Sequence, residues 1–117
     1  MTVDAFERQV YHLAAKFSFI KTIITVDKTT NTIKLRLHIA PDCFVQVYTN
    51  TRKRLLSYVL VLHRSRAYGR DCDGGAWHRH PYGHPDDHDF SPEGTKSVAL
   101  DEFLAEVQDI LREEGLL

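Results

Sequence analysis

Eight residues, Thr32 to Ile39, alternate without a break: Ile33, Leu35, Leu37 and Ile39 are apolar, while Thr32, Lys34, Arg36 and His38 are polar. A period of two sends each kind of side chain to its own face, so the segment reads as a strand with one side on a core. A half-solvated strand of this kind belongs to an antiparallel sheet. Its neighbours fit that reading. Lys28-Thr29-Thr30-Asn31 before it has the composition of a hairpin turn, and Pro41-Asp42 after it marks another. Cys43 to Asn50 then gives a second strand.

The next strand starts at Leu55 and is nearly continuously apolar, as a central strand is. It is expected to run to about Tyr68, turning basic through His63, Arg64, Arg66 and on to Arg70. Ahead of Thr32, a β-branched and aromatic run from about Lys16 to Val26 makes a further strand. Helices close both ends. Phe6, Val10, Leu13 and Phe17 recur at helical spacing, with Asp4 or Thr2 as the cap. Leu100, Phe103, Leu104, Val107, Ile110 and Leu111 line one stripe of the last helix, and Gly115 is its C-cap. The expected fold is α+β: one domain over 1–117, a four-stranded antiparallel meander packed by an N-terminal and a C-terminal helix.

Between the sheet and the last helix lies the segment Tyr68 to Phe90. It holds four of the seven histidines, the one tryptophan, two of the four prolines and four of the six glycines. Such Gly and Pro density predicts a long loop. Tyr68, Trp77, Tyr82 and Phe90 supply the area to order it. A loop of this length in a small domain points to function.

Composition narrows the classes. The longest apolar run, Leu55 to Leu62, is too short to span a bilayer, and Asp4 and Glu7 replace the positive start of a signal peptide. With two distant cysteines and no CxxC, a reducing, cytoplasmic setting is expected. Cys43 reads as core. The net charge of −1 hides a separation of sign. Residues 43–70 carry six Lys or Arg and no acid; residues 101–117 carry six acids and one Arg. The basic half suits phosphate, although solvated faces have the same look.

Three chemistries compete for the histidine segment. In an extended stretch His78 and His80 project to one side and can share a metal such as zinc, with His84, His88, Asp86, Asp87, Asp89 or Cys72 completing the shell. Alternatively, two histidines act as acid and base without a metal, with arginine steadying a phosphate. RNA suits that chemistry because its 2′-hydroxyl is an internal nucleophile. The bland possibility is that each histidine only hydrogen-bonds nearby backbone.

The order Ser57-Tyr58-Val59, Tyr68-Gly69-Arg70-Asp71, His78-Arg79-His80-Pro81 and Leu100-Asp101-Glu102-Phe103-Leu104 resembles the TumE family, the toxin components of prokaryotic toxin–antitoxin pairs. The resemblance implies a growth inhibitor neutralised by an antitoxin protein and acting on RNA or translation. Together these readings give a ribonuclease-like toxin with no membrane partner. His78, His80, Arg70 and His88 are the expected catalytic groups, and Arg64, Arg66, Tyr68 and Trp77 the expected RNA contacts. No cofactor is required in that reading; its alternative is a binding module ordered by zinc through His78, His80, His84 and His88.

Overall fold

Thr2 opens the first helix: its hydroxyl accepts the Ala5 amide at 3.1 Å, leaving Asp4 in the first turn of α1 (Val3–Ala14). The computed structural model describes residues 1–117 and continues through β1 (Thr22–Lys28), β2 (Thr32–Ala40), β3 (Cys43–Asn50), β4 (Leu55–Leu62), β5 (Ser65–Asp73) and β6 (Ala76–His80) to α2 (Leu100–Glu113). The class is α+β with an antiparallel sheet. All six strands lie in chain order, β1 to β6, each pairing antiparallel with the next. No helix is long and apolar enough to cross a membrane.

The sheet therefore has six strands, not the expected four, and both extra strands come from hairpin turns. The single strand expected from Leu55 to Tyr68 is cut at His63 and Arg64, which carry φ of 49° and 67°. Two successive positive φ values are what a tight primed turn needs, and Gly or Asn usually supplies them. Here two long side chains adopt them, so the turn has no sequence signature. The second turn is Gly74-Gly75, with φ of 60° and 94°. Those glycines fold β5 onto β6, so most of the expected loop is a hairpin. The irregular chain begins only at Pro81.

Both helices pack on one side of the sheet. Ile33, Leu35, Leu37, Val45, Val47, Tyr58 and Leu60 form a common core with Val10, Phe103, Leu104, Val107 and Leu111. Glu102 caps α2 by accepting the Ala99 amide at 2.8 Å. Past its other end Gly115 takes a φ of 73°, and the Leu116 amide reaches back to the Leu111 carbonyl at 2.8 Å. The opposite side of the sheet carries no helix.

Candidate metal centre

Strand alternation sorts β5 and β6 between these two sides. Tyr68 and Arg70 pair with Leu60 and Tyr58, and so point to the helices. Asp71 pairs with Ser57 on one side and His78 on the other, and His80 stands opposite Gly69. These point to the open side. His78 and His80 share a face while Arg79 points away, as an extended segment requires.

On the open side four polar groups converge. The Nε2 atoms of His78 and His80 are 3.2 Å apart, and Asp71 Oδ2 lies 3.1 Å from the His80 nitrogen and 3.5 Å from the His78 nitrogen. His88 joins them from the loop, its ring centroid 5.1 Å from His78 and 4.8 Å from His80. One ligand atom from each of the three histidines lies within 4.8 Å of the others.

Neighbouring groups fix this geometry. His80 Nδ1 is 2.9 Å from the Pro85 carbonyl, which can only accept, so Nδ1 carries the hydrogen. In neutral His80 the Nε2 lone pair is therefore free and aimed into the cluster. Ser57 donates to Asp71 Oδ1 at 2.7 Å, turning Oδ2 inward. Such outer partners are what orient ligands around an ion. Opposite His80, a Cβ at Gly69 would crowd the Tyr58 carbonyl at 3.0 Å while meeting the His80 ring at an ordinary 3.9 Å. Partial burial pushes the His78 pKa below its ordinary value; Asp71 opposes this, and His80 and His88 reinforce it. His78 is thus biased to the neutral form that binds metals.

His78 Nε2, His80 Nε2 and Asp71 Oδ2 lie within 3.5 Å of one another, a spacing that either a hydrogen on His78 Nε2 or a cation among the three would satisfy. Around tetrahedral zinc, nitrogen ligands about 2.05 Å from the ion lie about 3.3 Å from each other. The triangle of Asp71, His78 and His80 has sides of 3.1, 3.2 and 3.5 Å. The donor set fits a zinc-class ion.

Arg79 holds the loop that brings His88. Its guanidinium donates to Asp89 Oδ2 at 2.9 and 2.6 Å, and the two backbones exchange hydrogen bonds. Asp89 Oδ1 accepts the Ser91 amide at 2.9 Å. Gly94 lies beneath, where any Cβ would overlap the Asp89 carbonyl.

The other expected site residues lie elsewhere. Arg70 is fully buried on the helix side and cannot serve as a phosphate or catalytic group. It donates to Glu106 at 2.9 and 2.7 Å and to the Glu93 carbonyl at 2.8 Å. Tyr68 is buried and stacks on Phe103, with centroids 5.6 Å apart. Trp77 packs towards Tyr58. Neither ring is placed to stack on a base beside the histidines. Arg64 sits in the β4–β5 turn, and His84 lies outside the cluster. Phe90 is instead the aromatic at the site: 68 % exposed, its ring 6.1 Å from His88 and nearly parallel to it.

Asp71 is the group that sequence reasoning left out of the first rank. The signal that identifies it is the register, which places it between Ser57 and His78. Compared with protein-family models, with curated proteins and with solved structures, the chain matches none of them.

Proposed function

We propose that the protein is a ribonuclease-like toxin whose reacting centre is a divalent metal site built from Asp71, His78 and His80, with His88 beside it. The single observation that carries the site is the triangle of 3.1, 3.2 and 3.5 Å among two imidazole nitrogens and a carboxylate oxygen. The toxin role and the antitoxin partner rest on the resemblance to TumE proteins described above, and a cytoplasmic setting on the two distant, unpaired cysteines.

Bound there, a zinc-class ion polarises a phosphoryl oxygen and lowers the pKa of a coordinated water. Asp71, His78 and His80 stand on paired strands, and Ser57 and the Pro85 carbonyl further fix Asp71 and His80. His88 is the exposed member, carried by the loop. In this reading it takes or gives the proton at the substrate. Phe90, parallel to His88 and open to solvent, offers a base a stacking surface.

A second reading has one observation in its favour. His78, His80 and His88 bring ligand atoms within 4.8 Å of one another, and an ion that such residues held with no open position would be structural rather than catalytic. The protein would then be a binding module ordered by metal. Purified full-length protein should contain one equivalent of zinc and cleave single-stranded RNA, and Asp71→Asn and His80→Ala should lose both properties. Stoichiometric zinc without cleavage supports the module. Cleavage by metal-free protein overturns the metal centre and returns the histidines to direct acid–base chemistry.

A further inference from the structure

The open side of the sheet is built as three rows of side chains crossing the strands. Direct cross-strand partners share a face, so the rows follow from the register. One runs Lys34, Tyr48, Ser57, Asp71, His78. The second runs Arg36, Gln46, Val59, Gly69, His80. The third runs His38, Phe44, Val61, Arg66. Two of the three rows end in the histidine cluster.

The chemistry of these rows is uneven in a useful way. Lys34, Arg36 and Arg66 make no ion pair, although Asp27 of β1 stands opposite Lys34 in the register: the ion pairs of the chain are made by Lys28, Arg70, Arg79, Lys96 and histidines. The acids on this face of β5 are Asp71, engaged with Ser57 and the histidines, and Asp73 at the strand end. The acidic helix α2 lies across the sheet, where Arg70 answers it. Aromatic rings alternate with the cations. Arg36 lies over the Phe44 ring at 4.8 Å and donates to Gln46 at 3.3 Å, and His38 stands 5.5 Å from Phe44.

We infer that this face binds single-stranded RNA, with Phe44 and Tyr48 stacking bases, and Lys34, Arg36 and Arg66 neutralising phosphates. Cations outside any ion pair attract a polyanion, and the half-buried rings of Phe44 and Tyr48 give unpaired bases a sequence-tolerant surface. A duplex hides its base faces and cannot use the rings. From β3 to β6 is three strand spacings, about 14 Å, a path that leads a bound strand to His78 and His80. The delivery of that strand to a reacting centre rests on the hydrolytic reading above; the binding itself does not.

Fluorescence anisotropy with a labelled ten-nucleotide oligouridylate, using the full chain, tests this. The protein should bind the single strand and bind an RNA duplex of equal length more weakly. Phe44→Leu with Tyr48→Leu keeps apolar packing but removes both rings, and should weaken binding about 5- to 100-fold. Arg36→Gln should lower the slope of log K against log salt by about 0.7. Arg8→Gln, on α1, should change neither. Circular dichroism of each variant confirms folding, and Arg36→Gln keeps the test alive where a ring replacement unfolds the chain. Equal affinity for duplex and single strand, or an unchanged affinity in the folded double-ring variant, overturns the inference. His80→Ala separates the two ideas: binding retained with metal and cleavage lost supports both, and binding retained in a protein that never held metal supports the face alone.

Discussion

Arg70 and Asp71 are neighbours in the chain and opposites in the fold. On the helix side, Arg70 is buried with its donors matched by the Glu106 carboxylate and the Glu93 carbonyl. On the open side, Asp71, His78 and His80 crowd a carboxylate oxygen and two ring nitrogens within 3.5 Å of one another. A matched buried charge is consumed by structure. Such a convergence is poised for a cation or a substrate. The difference separates two charged residues that sequence treats alike.

The largest way to break the comparison is at Arg70. Removing the guanidinium takes away its charged hydrogen bonds to Glu106 and the Glu93 carbonyl, a loss of about 1.5 to 3 kcal/mol, with Glu106 partly open to water. That is a large share of a small domain's stability. Urea unfolding of Arg70→Ala should show it, and Arg70→Lys should rescue it only in part because the two-pronged contact is lost. A variant as stable as the parent would show that the ion pair is not structural.

On the other face the lever is the ion. If zinc binds the folded centre at a hundred times its dissociation constant, chelation removes about 2.7 kcal/mol. A melting temperature that falls on adding chelator, and recovers with zinc but not magnesium, fits the nitrogen-rich donor set. His80→Ala should abolish that response and lower cleavage by about 10² to 10⁴-fold. Its own cost to the metal-free fold should be modest, about 1 kcal/mol, for the lost contact to Pro85. Because His80 is 4 % exposed and stands in a strand, it is not the exposed loop ring that its glycine-rich surroundings imply.

What the sequence disclosed follows the same division. Strand β2 announces itself because one face is core and the other is water, and the Leu100 to Leu111 stripe does the same for α2. Cys43 to Asn50 matched its strand to the residue. The two hairpins were hidden for opposite reasons. His63-Arg64 makes a turn with residues that rarely turn, and Gly74-Gly75 looks like the interior of a loop. Side-chain phase along β5 was also hidden. A bulge between Arg66 and Tyr68 puts them on opposite faces, although their spacing puts them on the same one. Without the bulge and the register, neither the burial of Tyr68 and Arg70 nor the role of Asp71 could be read. The pairing of His78 with His80 was legible because only local alternation sets it.

The smallest effect sharpens the comparison most, since it separates the loop from the ion. Asp89 docks the loop through Ser91 and Arg79, and its carboxyl is held down to about 2, the Ser91 hydrogen bonds contributing most and Arg79 next. A depressed carboxyl favours the docked state fully above its ordinary 3.8, and that contribution is lost as the pH falls through about 2. Metal release has a different window. Its histidine ligands must be neutral, so binding fails as acid protonates them, and the lowered pKa of His78 carries that loss below the ordinary histidine range. At pH 4, therefore, the ion should be gone while the loop stays docked. Amide exchange of Arg79 and Asp89, whose backbones bond each other at 3.3 and 2.8 Å, reports the docking, and dialysis followed by elemental analysis reports the ion. Protection that persists to pH 4 after zinc has left shows a loop held by Asp89 alone. Protection lost together with zinc, between pH 7 and 5, would show that the ion itself holds His88 and the loop in place, and would favour the binding module over the ribonuclease.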